Sequence, residues 1–196
     1  MREVSRQLIH LSGVFFIILS LFTTRLVAAA YFFLIGLTFL LYSLYIIREQ
    51  NRFRKFLHFL DDKIRGKVMR FERSGIPLQG AIWFYFGCGI TFLVFPKDIA
   101  VPATLVLAVA DSLSTIVGHH FGSKNRSGKS IEGTLTFLVA ASAVILIFQP
   151  NFLIPAIAAT TAELFPALSP SLRQKGILDD NWTIPLVTGA ALLFAK

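Results

Sequence analysis

Two carboxylates, Asp111 and Glu163, stand inside long apolar stretches of this 196-residue chain. An ionisable side chain at membrane depth is costly, so it is by default a candidate functional group. Asp111 also shares one helical face with Thr115 and Gly118. We interpret the two carboxylates as candidate catalytic groups, acting as a general base or a metal ligand. The alternatives are structural carboxylates satisfied by neighbouring helices, or the ion sites of a small transporter.

A short basic, glycine-rich loop, GSKNRSGKS, follows the first carboxylate and leads into the next apolar segment. Its spacing is wrong for a Walker A motif, because five residues separate its two glycines where that motif has four. Glycines nevertheless let the backbone approach a phosphate, lysines supply positive charge, and Ser130 can cap the following helix. The predicted nucleotide- or phosphate-binding residues are Gly118, Gly122, Lys124, Gly128, Lys129, Ser130 and Gly133. Ordinary basic charge beside a membrane is the alternative.

A second polar cluster, Asp179-Asp180-Asn181, lies at the start of the last apolar segment. Helix capping would account for one of these side chains. Three consecutive oxygen-bearing side chains exceed that need and suit Mg²⁺, which binds through one or two carboxylates plus substrate phosphates. Together with Glu132, these three residues form the predicted metal site.

The N-terminal sequence REVSRQLIH places Glu3, Arg6 and His10 about one turn apart on one helical face. A lone histidine there would most often be structural, but its charged neighbours make a functional role an equal alternative. All these polar groups come from separate parts of the chain, yet they lie beside the same ends of their apolar segments. The sequence therefore predicts one site at one membrane face.

Membrane-spanning helices must position these groups. The mean hydropathy is +0.67 and 55% of the residues are apolar, with more long apolar runs than a soluble domain of this size carries. Seven apolar segments are present, at about 8–24, 26–47, 81–95, 99–118, 133–148, 152–168 and 182–195. Several are short for a hydrocarbon core of ~30 Å. We predict an all-α, polytopic integral membrane protein with about seven transmembrane helices, forming a single membrane-embedded catalytic domain over residues 1–196.

The distribution of charge predicts the orientation. Of the 19 Lys and Arg residues, 16 fall on one side of the apolar segments, and only Arg25, Lys97 and Lys196 fall on the other. By the positive-inside rule, the N-terminus and every candidate site residue face the cytoplasm. The segment 48–80 is basic with apolar residues at helical spacing, so we expect a helix lying in the cytoplasmic interface. It would serve as a lipid anchor or as a gate for a lipid substrate.

Composition also bounds the partners of the chain. The net charge is +8, and the basic residues lie beside apolar segments, which favours anionic lipid head groups over nucleic acid as partners. Cys88 is the only cysteine, so an intrachain disulfide is excluded.

Taken together, these motifs resemble the family of CTP-dependent lipid-alcohol kinases that includes dolichol kinase, phytol kinase and the fungal-type diacylglycerol kinase. The resemblance covers most of the chain. It rests on Glu3-x-x-Arg6-x-x-x-His10, on Glu72 followed by Gly80, Phe84 and Gly87, on Asp111 through Gly122, on Lys129-Ser130-x-Glu132-Gly133-Thr134, and on Asp179-Asp180-Asn181-x-Thr183-x-Pro185. The chain departs from the family at Gln7, where a lysine is usual, and at His119 and His120, in a stretch where arginine is frequent.

The resemblance implies a phosphotransferase with an alcohol group as acceptor and a cytosolic active site. It implies CTP as co-substrate and Mg²⁺ or another divalent cation as cofactor. The expected reaction transfers the γ-phosphoryl group of CTP to a lipid alcohol, either polyprenol-, dolichol- or phytol-like or a diacylglycerol. Lys124 and Lys129 would hold phosphates, and Asp111 or Glu163 would accept the hydroxyl proton. The sequence does not choose between these two carboxylates.

Two alternatives remain at this point. The CTP-dependent phosphatidate cytidylyltransferases share the Asp…Gly…Lys…Glu-Gly core, but they typically carry Pro-Lys-Lys before Glu-Gly and end in Gly-His-Gly-Gly. This chain has Gly-Lys-Ser and Asp-Asp-Asn instead, which favours the kinase. A small transporter or channel would need polar residues through the full membrane depth, whereas the segments here are polar mainly near one face. The short helices also make a homodimer plausible.

Overall fold

Helices form every regular element of the computed structural model, which describes residues 12–48, 78–123, 129–168 and 179–196, with the backbone alone for 46–48 and 166–168. In chain order the elements are α1 (12–20), α2 (Arg25–Arg48), α3 (Gln79–Val94), α4 (Lys97–Leu105), a π-helical segment (Val106–Asp111), α5 (Ser112–His120), α6 (Ile131–Phe148), α7 (Leu153–Leu168) and α8 (Asp180–Phe194). α4, the π segment and α5 form one continuous helix. The all-α prediction is confirmed for these residues.

Each of the seven predicted apolar segments overlaps one of these helices. Three stretches are long and apolar enough to cross a membrane by length and composition, namely Arg25–Tyr45, Lys97–His120 and Ile131–Phe148. α3 and the Leu153–Phe165 part of α7 are apolar but shorter. The apolar helices indicate a membrane protein, whereas the count of seven spans and the cytoplasmic N-terminus stay predictions. The predicted interfacial segment 48–80 lies almost wholly outside the described residues.

Apolar side chains cover the outward faces of several helices. Leu34 and Leu41 of α2, Val139 and Ile147 of α6 and Ile154 of α7 are all exposed. Water-soluble proteins rarely expose apolar surface on this scale. In a bilayer these faces would meet lipid chains.

The centre of the bundle is occupied by α8, which packs against α3, α4, the π segment and α7. Its buried side chains include Ile184 and Leu192. α2 packs along α3 through aromatic rings, with Phe32 stacked on Phe92 at a centroid distance of 5.5 Å. α6 completes the bundle by packing on α5, the π segment and α7.

α3 and α8 run parallel, because two glycine contacts between them, one of them at the C-cap of α3, have the same offset along the chain. The backbone of Asn181 lies directly against Gly87, and the ring of Phe95 lies against Gly189. A Cβ on Gly87 would lie only 3.0 Å from the Cα of Trp182, so glycine permits this approach. α8 therefore begins beside the middle of α3, and the first two turns of α3 extend about 12 Å beyond it. The N-terminus of α8 is thus recessed within the bundle.

The bundle has two chemically different ends. We call the end where α5 and α7 end and α3, α6 and α8 begin the site end, and the opposite end the far end. At the far end, Lys97 Nζ donates hydrogen bonds to the backbone oxygens of Leu21 (2.6 Å) and Thr23 (2.9 Å). Lys196 forms an ion pair with Asp98. These contacts tie the far-end turns and the C-terminus together.

The π segment interrupts regular α-helical bonding between α4 and α5. Pro102 precedes it, and a proline lacks the N–H that an α-helix interior needs. A π turn takes in one residue more than an α turn and is frequent at functional sites. This one ends at Asp111.

Candidate active site

Lys129 is the centre of a charged cluster at the site end. Its ammonium forms an ion pair with Glu163 of α7, and its Nζ lies 3.8 Å from a carboxylate oxygen of Asp180 at the start of α8. Asp111 also acts on it electrostatically. Burial alone would lower the pKa of Lys129, but these three carboxylates raise its pKa above the ordinary value. The ammonium therefore stays charged, and it joins the start of α6 to α7 and α8.

Asp111 reaches this cluster from the π segment. It is buried, and its backbone carbonyl accepts a hydrogen bond from Ser114 Oγ at 3.0 Å. Ser112 Oγ donates to the carbonyl of Ala108 at 2.7 Å. The two serines thus satisfy backbone oxygens where the helix changes its bonding pattern. The structure brings Asp111 into electrostatic range of Lys129, as expected of groups at one membrane face.

Three of the predicted phosphate-binding glycines surround the side chain of Ser130. A Cβ on Gly118 would lie 2.8 Å from Ser130 Oγ and one on Gly133 would lie 3.0 Å from it, while one on Gly122 would overlap it. Ser130 is the N-cap of α6, since its Oγ accepts a hydrogen bond from the Gly133 N–H at 3.0 Å. The predicted cap is confirmed. The three glycines therefore let α5 pack closely on the first turn of α6, and they hold that helix N-terminus beside Lys129.

Asp179 is the residue of the Asp-Asp-Asn cluster that caps α8. Its Oδ1 accepts hydrogen bonds from the backbone N–H of Asn181 at 3.0 Å and from Asn181 Nδ2 at 2.7 Å. Burial and the adjacent charge of Asp180 raise the pKa of Asp179 to about 6. Capping accounts for one member of the cluster, as predicted, and Asp180 is the member that approaches Lys129.

Several buried oxygens at the site end have no hydrogen-bond partner among the residues that the structure describes. They include Glu132 Oε2, Glu163 Oε2 and Asn181 Oδ1, with Gln79 Oε1 at the start of α3. An unpaired buried acceptor costs about 1–3 kcal/mol, so these oxygens are candidates to bind a cation, a water molecule or a hydrogen-bond donor. Carboxylate and amide oxygens are the ligands that Mg²⁺ prefers in proteins.

The donor set fits a cation that is completed by phosphate. No three acidic, histidine or cysteine side chains within the described ranges are grouped closely enough to hold a metal ion by themselves. Mg²⁺ usually needs only one or two carboxylates, because substrate phosphates and water supply its other ligands. Asp180 and Asn181, which are adjacent at the start of α8, could supply that smaller number of protein ligands.

The described residues thus bring together the predicted Asp111, Lys129, Glu163 and Asp180. The predicted Glu3, Arg6, His10, Glu72, Lys124 and Gly128 lie outside the described residues. Sequence reasoning missed the pairing of Lys129 with Glu163, because the only hint was that both lie beside the same membrane face. It also missed Gln79, whose place at the start of an apolar segment was the available signal.

Comparison with known proteins finds similarity along nearly the whole chain to an uncharacterized protein of Rickettsia prowazekii (strain Madrid E). The two are 30% identical over 193 residues, which cover 94% of this chain and 90% of that protein. An uncharacterized protein of Methanocaldococcus jannaschii is 32% identical over 111 residues, which cover 56% of this chain and 55% of that protein. No family model and no solved structure matches the chain.

One similar protein has an activity in its name. The CTP-dependent diacylglycerol kinase 1 of Schizosaccharomyces pombe is 28% identical over 148 residues, which cover 68% of this chain and 67% of that protein. This similarity is weak, and it suggests a lipid kinase. To that extent the predicted resemblance to CTP-dependent lipid-alcohol kinases is confirmed.

Proposed function

The chain belongs to the same family as the uncharacterized Rickettsia prowazekii protein, and we propose that it is a CTP-dependent kinase for a membrane lipid alcohol. The reaction moves the γ-phosphoryl group of CTP to the lipid hydroxyl and releases CDP. The acceptor is a polyprenol-, dolichol- or phytol-like alcohol or a diacylglycerol. The site works at the cytoplasmic face of a protein with seven membrane spans and its N-terminus in the cytoplasm.

The observation that carries this proposal is the placement of Lys129. Phosphoryl transfer needs mainly positioning of the phosphates and neutralisation of their charge. A lysine that stays charged beside the N-terminus of α6, with carboxylates around it, supplies a phosphate contact next to oxygen ligands for a cation. The weak similarity to the Schizosaccharomyces pombe kinase supports the same reaction class.

Each part of the site has a separate task. Lys129 and the free N–H groups at the start of α6 bind the triphosphate, and Lys124 adds positive charge from the same loop. Asp180, Glu132 and Asn181 would hold Mg²⁺, which when bound neutralises charge on the phosphate oxygens. The recessed start of α8 places Asp180 below the first turns of α3, so an acceptor hydroxyl must descend into the bundle to meet it.

Incubation of purified protein with CTP labelled separately at the α and γ positions tests the reaction. The acceptor panel should contain a diacylglycerol, phytol and a polyprenol. We expect a lipid that carries the γ label, with CDP released. A lipid that gains the α label and cytidine, with pyrophosphate released, would instead identify a cytidylyltransferase, and unlabelled lipids with an ion flux in proteoliposomes would identify a transporter.

Asp180→Asn tests the cation assignment. Asp179 keeps the helix cap, so the variant should insert and fold as the wild type does, while γ transfer falls by at least about 100-fold because a ligand charge is lost. A titration with Mg²⁺ at fixed CTP is the measurement. Near-normal turnover at limiting Mg²⁺ would contradict the assignment.

The orientation has its own test. Single cysteines placed in 119–132 and 169–181 of a Cys88→Ser background should react with an impermeant maleimide only from the cytoplasmic side, since both loops belong to the basic face. Labelling from the outside would overturn the proposed topology and would leave the proposed reaction untested by this experiment.

A further inference from the structure

We propose that Glu163 is the catalytic base and that the nucleotide itself activates it, by drawing Lys129 away from Glu163 onto its phosphates. The proposal rests on the kinase function above and chooses between the two carboxylates that the sequence left open. In the structure Lys129 and Glu163 are paired, which is the resting arrangement. With CTP bound, Lys129 contacts phosphate and Glu163 faces the lipid hydroxyl.

Glu163 is built to accept a hydrogen bond. Its side chain is 3% exposed, one carboxylate oxygen pairs with Lys129, and the other oxygen is buried without a partner in the described part of the chain. A carboxylate can accept hydrogen bonds at both oxygens. An O–H donor brought to Oε2 would fill the vacant position, and the hydroxyl of an alcohol is such a donor.

Lys129 is built to change partners. Its side chain is 22% exposed and that of Glu163 is 3% exposed, so an anion arriving from solvent meets the lysine side chain before the carboxylate. Lysine is a flexible point charge with a long stem, and phosphate is a strong acceptor for it. Lys129 precedes the N-terminus of α6, where phosphate would bind, so a modest movement of the side chain transfers the ammonium from one acceptor to the other.

Movement of the ammonium frees the second oxygen of Glu163 as a hydrogen-bond acceptor, next to the oxygen that already lacks a partner among the described residues. The carboxylate therefore faces the hydroxyl with both oxygens only when the phosphoryl donor is in place.

The step balances without a further reactant. The hydroxyl proton of the lipid passes to Glu163 Oε2 as the hydroxyl oxygen forms a bond to the γ-phosphorus. The bond between the γ-phosphorus and the oxygen that bridges it to the β-phosphorus breaks, and CDP leaves. Glu163 returns the proton to solvent when Lys129 pairs with it again.

Glu163→Gln gives the sharpest test, because its two expected effects have opposite signs. Removal of the base should lower kcat by about 100- to 10,000-fold. Removal of the competitor for Lys129 should at the same time tighten CTP binding several-fold, measured as the Kd of CTP by equilibrium dialysis. A merely structural role would lower kcat and weaken CTP binding together. Asp98→Asn is the matched control, since it breaks the ion pair at the far end and should change neither quantity.

Wild-type protein supplies a measurement that no folding defect can obscure. A CTP analogue with a methylene group between the β- and γ-phosphorus should increase the affinity for the lipid alcohol that accepted the label, because it releases Glu163 to that hydroxyl. An unchanged lipid affinity, or a Glu163→Gln variant with near-normal kcat, would overturn the proposal while leaving the kinase function intact. Absence of γ transfer by the wild type would instead overturn the function.

Discussion

The two ends of the helix bundle each hold a lysine–carboxylate ion pair, and the two pairs differ in burial. At the far end the side chains of Lys196 and Asp98 are 54% and 57% exposed. At the site end the side chain of Lys129 is 22% exposed and that of Glu163 is 3% exposed. Water and salt screen an exposed pair, whereas a buried pair must offset the desolvation of both ions.

The polar groups around the two ion pairs also differ, in how fully they are hydrogen-bonded. At the far end, Lys97 donates hydrogen bonds to two backbone carbonyls, so the polar contacts there stabilise turns. At the site end, buried oxygens of Glu132, Glu163 and Asn181 have no hydrogen-bond partner within the described ranges. Folding alone does not favour unpaired buried acceptors. The polar groups of the far end therefore stabilise the fold, whereas those of the site end fit the ligand binding that we propose there.

Removal of the lysine from each ion pair should give the largest difference in stability and activity between the two ends. Lys129→Met should lower the free energy of unfolding by about 3 kcal/mol and abolish γ transfer, because a buried carboxylate loses its countercharge and the phosphates lose a contact. Lys196→Met should cost well under about 1 kcal/mol and leave transfer unchanged. Denaturant titrations in mixed micelles and the label-transfer assay give the two readouts. Equal losses of stability would break the comparison between the ends.

Glycine-to-alanine substitutions should give a smaller difference in stability between the two ends. Gly87 meets the backbone of Asn181, which cannot move without shifting α8, whereas Gly189 meets the ring of Phe95, which can turn. Gly87→Ala should therefore cost about 2–3 kcal/mol and Gly189→Ala less. Gly80→Ala is the control, because no atom of the described residues lies within 4 Å of its added Cβ, and it should stabilise α3 by about 0.5–1 kcal/mol. Thermal midpoints of the three variants would decide the order.

Between about pH 4 and about pH 6, the stability of the protein should depend on pH through the site end. Asp179 has a pKa of about 6 in the folded protein, above its ordinary value of 3.8, so the folded state binds the proton more tightly than the unfolded state does. The free energy of unfolding should therefore fall as the pH rises from about 4 to about 6. Asp179→Asn, which keeps a good N-cap, should flatten this slope, whereas Asp98→Asn should leave it in place. The measurement should be made in the presence of a metal chelator. An unchanged slope in Asp179→Asn would assign the titration to another group.

Much of the fold was predictable because hydropathy in a membrane protein reports helices directly. Each predicted apolar segment overlaps a helix, and the boundaries at Ser130 and Asp179 follow from side chains that cap helices. The charged groups could be assigned to one end, since basic residues accumulate beside one face. Those are local or one-dimensional signals.

The remaining features depend on how helices pack, which no local pattern records. The pairing of Lys129 with Glu163 joins residues on different helices, and either carboxylate could have been the partner. The offset between α3 and α8 depends on the contact of Gly87 with Asn181, and it is this offset that recesses the N-terminus of α8. The glycines around Ser130 were predicted from their effect on phosphate access, whereas in the structure they also allow close helix packing.

The π segment also bears on how the helix around Asp111 could change in evolution. Because a π turn contains one residue more than an α turn, it corresponds to a single-residue insertion in an otherwise regular helix. Because the wider π turn absorbs the extra residue, deleting one residue between Val106 and Asp111 would restore α-helical bonding and leave α4 and α5 in nearly the same rotation. The packing of Gly118 on Ser130 would then be kept. A single-codon insertion or deletion here could thus change the segment that carries Asp111 without altering the rest of the bundle.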